Sequence, residues 1–147
     1  MAVIARAIAP TIAPTIAPTI APTRRLTWIL GGVFIAAGVN HFVATAFYMK
    51  MMPPYLPAHL LLVQISGVAE ALGGLGVMIP RTRRAAGWGL ILLLLAVFPA
   101  NVQMTIDAHA ADASLLWQVA TWARLPFQAL FIYWTWVATQ PRARKTL

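Results

Sequence analysis

Few side chains in this sequence can do chemistry, and most of those few sit at helical spacing in apolar surroundings. The acids are Glu70, Asp107 and Asp112, the histidines are His41, His59 and His109, and there is no cysteine. Without cysteine there are no disulfides, no thiolate metal sites and no thiol redox chemistry. At about 100° per residue, Ser66, Gly67, Glu70, Gly73 and Gly74 share one side of a helix. Leu61, Ile65, Val68, Leu72, Leu75 and Ile79 share the other. A carboxylate on the small-residue side is a proton acceptor or one half of an ion pair. In hydrocarbon it is costly unless paired or protonated. Elsewhere Thr121, Arg124, Gln128, Phe131 and Thr135 form a stripe, Asn101 lies with Gly87, Leu94 and Thr105, and His41 lies with Phe34, Ala37 and Gly38, next to Asn40.

Each of these residues admits two readings. Glu70 with Arg124 is a structural ion pair that fixes helix register, or part of a pocket for a polar headgroup or a quinone. His41 titrates, ligates metal or meets a quinone carbonyl, or else it caps its own helix. A haem or metal site needs convergent ligands, and His59 and His109 fall in or beside connections without ligand-like spacing, so neither haem nor metal is expected. Met49, Met51 and Met52 in YMKMMPPYLP suit a segment dipping into lipid headgroups as well as they suit soft metal ligation. There is no P-loop, Rossmann glycine pattern, HExxH, paired acid or Ser-His-Asp set, and no catalytic residue is assigned.

The elements that must hold these residues follow from composition. The chain has 147 residues, 61% hydrophobic and 10% charged, against about 45–50% and about 25% in soluble domains. That excludes a nucleic-acid-binding module, a wholly disordered chain and an ordinary soluble enzyme. A helix rises about 1.5 Å per residue and needs about 20 apolar residues to cross a bilayer. Four segments qualify: Leu26 to Phe47, Ala58 to Ile79, Ala85 to Ile106 and Trp117 to Ala138. Net charge is +8, and its placement matters more than its size. Arg24 and Arg25, then Arg81, Arg83 and Arg84, then Arg142, Arg144 and Lys145 alternate with connections holding only Lys50 or Asp107 and Asp112. Positive residues stay cytoplasmic, so both termini and the Arg81–Arg84 turn are expected inside. The expected fold is an all-α, antiparallel four-helix transmembrane bundle. On that register His41 and Asn101 are level, and Glu70 lies roughly 18 Å from the outer end of its helix. Residues 1–25, with IAPT repeated four times between Ile8 and Thr23, are expected to be a disordered arm, because a proline every fourth residue breaks both helix and strand. Residues 140–147 are expected to be a basic cytoplasmic tail.

At AAGVNHF (Ala36 to Phe42), YMKMMPPYLP (Tyr48 to Pro57), the stretch from Ser66 to Met104, and RLPFQALFIYWTW (Arg124 to Trp136), the chain resembles the DoxX-like family of small four-helix membrane proteins. The resemblance covers most of Leu26 to Trp136. It implies a four-span fold and, from some members, a link to quinone-coupled oxidation of sulfur compounds or to oxidative-stress complexes. Relatives acting on disulfides use cysteine pairs, which this chain lacks. The family's recurring polar positions correspond to Asn40, His41, Glu70, Asn101, Arg124 and Gln128, the same residues that the helix faces select as a ligand-binding or buried polar cluster.

Three functions are compatible with this reading. The first is an accessory subunit of a bacterial inner-membrane redox system, holding a quinone or lipid in the outer half of the bundle. Its partners would be the lipid bilayer, membrane oxidoreductase subunits and further copies of itself, with no nucleic acid. The second is a small proton-linked carrier, and the third a structural or assembly protein without ligand.

Overall fold

The computed structural model describes residues 24–139. The IAPT repeats and residues 140–147, expected as a disordered arm and a basic tail, lie outside the described residues. Within them every regular element is a helix: α1 (Arg24–Val43), α2 (Thr45–Lys50), α3 (His59–Met78), α4 (Arg83–Ala110) and α5 (Leu115–Thr139). Three of these, α1, α3 and α4, are long and apolar enough to cross a membrane. α5 is long enough, but Gln118, Arg124 and Gln128 dilute its hydropathy.

Several boundaries differ from expectation, each for a local reason. Arg24 and Arg25 open α1 rather than closing the tail. α1 stops at Val43, not Phe47, because Ala44 leaves the helical region (φ −112°, ψ 35°). There the hydroxyl of Thr45 donates to the carbonyls of His41 (2.8 Å) and Phe42 (3.0 Å), offering the backbone an alternative to the helical ladder. α2 follows as a separate short helix carrying Phe47 and Tyr48. After it, Met51 and Pro53 are buried, while Met49 and Tyr55 of the same segment are exposed. Pro80 halts the chain after α3, and the last carbonyls of α3 are taken by Thr82 Oγ1 (to Gly76, 2.8 Å) and Arg83 Nε (to Val77, 2.9 Å). These bonds satisfy groups that a helix end leaves orphaned. α4 runs on to Ala110, past the expected Ile106, drawing in Asp107, whose carboxylate accepts from Gln103 Nε2 (2.8 Å). α5 begins at Leu115, where the Ser114 hydroxyl accepts the Trp117 amide (3.4 Å), and passes through Arg124 and Pro126 without interruption.

α1 packs chiefly on α3, and α5 on α4, with α3 and α4 joining the two pairs. The α1–α3 approach is set by glycine. A Cβ on Gly31 would lie 2.6 Å from the Gly74 carbonyl oxygen, and one on Gly74 would lie 2.6 Å from that of Gly31. Gly38 and Gly67 face each other in the same way, the latter 2.8 Å from the Gly38 carbonyl and 2.7 Å from His41 Cβ. Such small-residue contacts let backbones approach where lipid removes the hydrophobic drive to associate. The opposite side of α3, with Leu61, Ile65, Val68, Leu72, Leu75 and Ile79, is exposed. Leu30, Phe34, Val77, Leu90 and Ala138 make the apolar core at one end of the bundle. That end is not wholly apolar, since Thr135 and Thr139 are buried there. Their hydroxyls donate to carbonyls of their own helix, Phe131 (2.7 Å) and Thr135 (2.8 Å).

The packing predicts a contrast between two glycines of equal helix propensity. Gly67→Val forces α1 from α3 and should destabilise by about 1–3 kcal/mol. Gly32→Val meets nothing within 4 Å and should leave stability within about 0.5 kcal/mol of the parent or slightly above it. Unfolding midpoints in one detergent give the comparison; equal losses at both positions would refute the glycine contact.

Candidate functional site

The site is built outward from Gly67. Because that residue has no side chain, His41 of α1 seats its Cβ there, and its ring runs along α3 between Val63 and Glu70, the residues four before and three after Gly67. His41 Nδ1 lies 3.0 Å from the Val63 carbonyl oxygen. A carbonyl only accepts, so Nδ1 carries a proton and donates it. His41 therefore reaches across to α3 and does not cap its own helix. The other ring nitrogen, Nε2, is turned toward Glu70, 3.6 Å from Oε2. Glu70 is 8% exposed, and its Oε2 is buried with no hydrogen-bond partner among the described residues.

The break at Ala44 brings α2 back over this pair. The Tyr48 ring stacks on His41, with centroids 3.8 Å apart and planes at 26°. Its hydroxyl oxygen accepts from Asn40 Nδ2 (3.1 Å). Asn40 is itself exposed and outside the cavity; it holds Tyr48 from behind.

The opposite wall comes from α4 and α5. Leu94, Val97, Ala100 and Asn101 line it, with Arg124 from α5, and together with His41, Tyr48 and Glu70 they enclose a cavity of about 190 Å³. Pro99 removes the amide that would bond the Leu95 carbonyl. The neighbouring carbonyl, of Leu94, is taken by the Gln128 side-chain amide of α5, whose oxygen accepts from Asn101 Nδ2 (2.9 Å). Gln128 is thus buried behind Asn101 as a clamp between α4 and α5 and does not line the cavity. Arg124 is half-buried. Its Nη1 lies 3.8 Å from Met104 Sδ, and it makes no salt bridge with Glu70. The Glu70–Arg124 pair allowed by sequence is therefore replaced by Glu70–His41. The reason is packing: α1 is drawn onto α3 by glycine, while α5 lies on α4.

Of the six residues selected from sequence, His41, Glu70, Asn101 and Arg124 share the cavity, Gln128 stands behind it and Asn40 outside it. Tyr48, Met51, Met52 and Ser66 also line it. Of these, Tyr48 and the methionines depend on the break at Ala44, which no residue type in that stretch signals. His59 and His109 do other work. His59 Nε2 meets the Pro53 carbonyl (3.2 Å), pinning the connection into α3. His109 Nδ1 meets Thr105 O (3.0 Å), and its Nε2 accepts from Trp122 Nε1 (3.3 Å), tying α5 to α4.

A family model described as a domain of unknown function, DUF8561, matches residues 30–139, and the chain belongs to that family. The matched span takes in the whole cavity. No curated protein and no solved structure matches the chain.

The clamp is testable alone. Gln128→Leu leaves Asn101 Nδ2 without its acceptor and should lower stability in detergent by on the order of 1–2 kcal/mol. Adding Asn101→Leu should cost less than that variant does alone, because the two act through one bond. Strict additivity of the two losses would contradict the clamp.

Proposed function

We propose that this chain is a four-span bacterial inner-membrane protein that holds a quinone headgroup in the His41–Glu70 cavity, as an accessory subunit of a membrane redox system. Support for the fourth span comes from α5, whose outward residues Trp117, Val119, Trp122, Phe127, Leu130, Tyr133 and Trp136 are all apolar or aromatic and exposed, while Arg124 and Gln128 turn inward. The antiparallel order of α1 and α3 is supported by the glycine pairs, Gly31 with Gly74 and Gly38 with Gly67, which run in opposite directions along the two helices. Orientation rests on the arginines at 81, 83 and 84 against the aspartates at 107 and 112. The resemblance to the DoxX-like family favours the redox association.

The observation that carries the ligand is the cavity itself. A void of about 150 Å³ accepts a benzene ring, so about 190 Å³ admits a substituted one. Its walls are apolar at Ala37, Val63, Leu94, Val97 and Ala100, with a few convergent polar groups, the usual make-up of a small-molecule site. The polar groups bind and orient the ring; electrons would come from a partner subunit.

Two outcomes follow. Protein purified in mild detergent should release quinone on solvent extraction, detected by absorbance, and Ala100→Phe, which fills the cavity, should reduce the yield at least five-fold without loss of folded protein; wild-type protein that yields none contradicts the proposal. Because the chain has no cysteine, Asp112→Cys should react with an impermeant thiol reagent in intact cells and Arg83→Cys should not. The reverse labelling would overturn the orientation.

A further inference from the structure

We infer that the groove between α3 and α4 binds an anionic phospholipid, with an acyl chain laid along the groove and the phosphate held by arginines of the α3–α4 turn. This site lies on the outside of the bundle, apart from the His41–Glu70 cavity. It rests on α3 and α4 crossing a membrane and not on the quinone reading. Ala69, Gly73 and Gly76 share one face of α3 and, with Ala86 and Gly89 of α4, line an open groove of about 450 Å³. Gly73 and Gly76 bring α4 close: a Cβ on Gly73 would lie 2.5 Å from Leu90 Cδ2, and one on Gly76 would lie 2.7 Å from Ala86 Cβ. Gly89 has no such duty. A Cβ there would meet nothing within 4 Å, so its missing side chain serves no contact within the chain and leaves the groove open. Leu72, Leu75 and Ile79 border the groove and are exposed, which gives it apolar walls. From Ala69 to Ile79 it follows α3 over ten residue steps, about 15 Å at about 1.5 Å per residue, or half of a hydrocarbon core of about 30 Å. That is the depth of one leaflet, the length over which an acyl chain runs.

One end of the groove carries charge. Thr82 lines that end, and Arg81, Arg83 and Arg84 adjoin it in sequence. The Thr82 hydroxyl donates to the Gly76 carbonyl (2.8 Å) and Arg83 Nε to the Val77 carbonyl (2.9 Å), which fixes the turn against the last residues of α3. Arg81 and Arg84 are exposed, and among the described residues no carboxylate pairs with either. Asp107 stands near the far end of α4 and Asp112 beyond it, while Glu70 faces His41. Guanidinium groups match phosphate oxygens with paired N–H donors, and basic clusters beside clefts between membrane helices suit anionic headgroups. Charge alone is enough to orient a chain in the bilayer, and orientation requires no groove. Unpaired arginines at the mouth of a leaflet-deep apolar groove match both halves of one molecule, an anionic lipid.

The test uses the full chain, purified in mild detergent and stripped of lipid. Dioleoyl phosphatidylglycerol and dioleoyl phosphatidylcholine are titrated separately, and apparent Kd is read from the rise of the unfolding midpoint with lipid concentration. Phosphatidylglycerol should bind at least about five-fold more tightly, the effect of one well-placed arginine. Gly89→Leu keeps every arginine and lays a side chain over the preceding turn, at Ala86 in the groove. It should weaken phosphatidylglycerol binding by at least about five-fold, while the lipid-free midpoint stays at or above that of the parent. The double variant Arg81→Gln with Arg84→Gln, which retains the Arg83 bond to α3, should reduce phosphatidylglycerol to the affinity of phosphatidylcholine and leave the latter unchanged. Equal binding of the two lipids by the wild type overturns the inference. So does Gly89→Leu protein that binds phosphatidylglycerol as the parent does, because the arginines would then gather anionic lipid without the groove. Should the double variant not fold, the wild-type ratio and Gly89→Leu decide.

Discussion

α1 and α3 approach at two glycine pairs, Gly31 with Gly74 and Gly38 with Gly67, closely enough that a single Cβ on any of the four would collide with the facing backbone. The rest of the site depends on that approach. It seats His41 over Gly67, lets the ring reach the Val63 carbonyl, and directs the second nitrogen at Glu70. A side chain at position 67 would push the imidazole away, and Glu70 would face the bundle interior alone. The fold-back after Val43 then covers the pair with Tyr48, and α4 with α5 closes the other side.

The second half of the bundle obeys the same constraint with different means. In hydrocarbon no water is available to satisfy a freed backbone group, so each must find a partner inside the protein. Gln128 of α5 supplies an amide at the Leu94 carbonyl of α4, one residue before the carbonyl that Pro99 frees, while holding Asn101. Thr105, Thr135 and Thr139 return their hydroxyls to carbonyls one turn back. Polar side chains are therefore internally satisfied nearly everywhere they are buried. Against that background the unmatched oxygen of Glu70 stands out among the described residues.

The face of α3 could be read directly from its periodicity. With leucines, isoleucines and valine on one side and glycines with one carboxylate on the other, only one rotation keeps Glu70 from lipid, and Leu61, Ile65, Val68, Leu72, Leu75 and Ile79 are accordingly exposed. The grouping of His41, Asn101 and Arg124 could be read from depth, since residues equally far along neighbouring helices are level. What could not be read was which of them meets Glu70, because that depends on interhelical distance. α1 comes near through Gly31 and Gly38, whose spacing matches Gly67 and Gly74 only once the helices are paired. The role of Tyr48 was hidden for another reason. Asn40 and Tyr48 are eight residues apart and would lie far from each other on a continuous helix; they meet because the chain leaves the helical region at Ala44, between α1 and α2. Asn40 was misplaced by the same step, since its polarity reads as interior when it serves a neighbour from outside.

A glycine-mediated contact between two apolar helices places His41 against Glu70, facing a partly open cavity and turned from lipid. Crystallography of the full chain grown from a lipidic mesophase tests it most directly. The map should show an imidazole nitrogen of His41 within about 4 Å of the Glu70 carboxylate, glycine backbones in contact between α1 and α3, and non-protein density beside Tyr48 and Arg124. A map with Glu70 aimed at acyl chains, or with α1 and α3 held apart by intervening side chains, would contradict it.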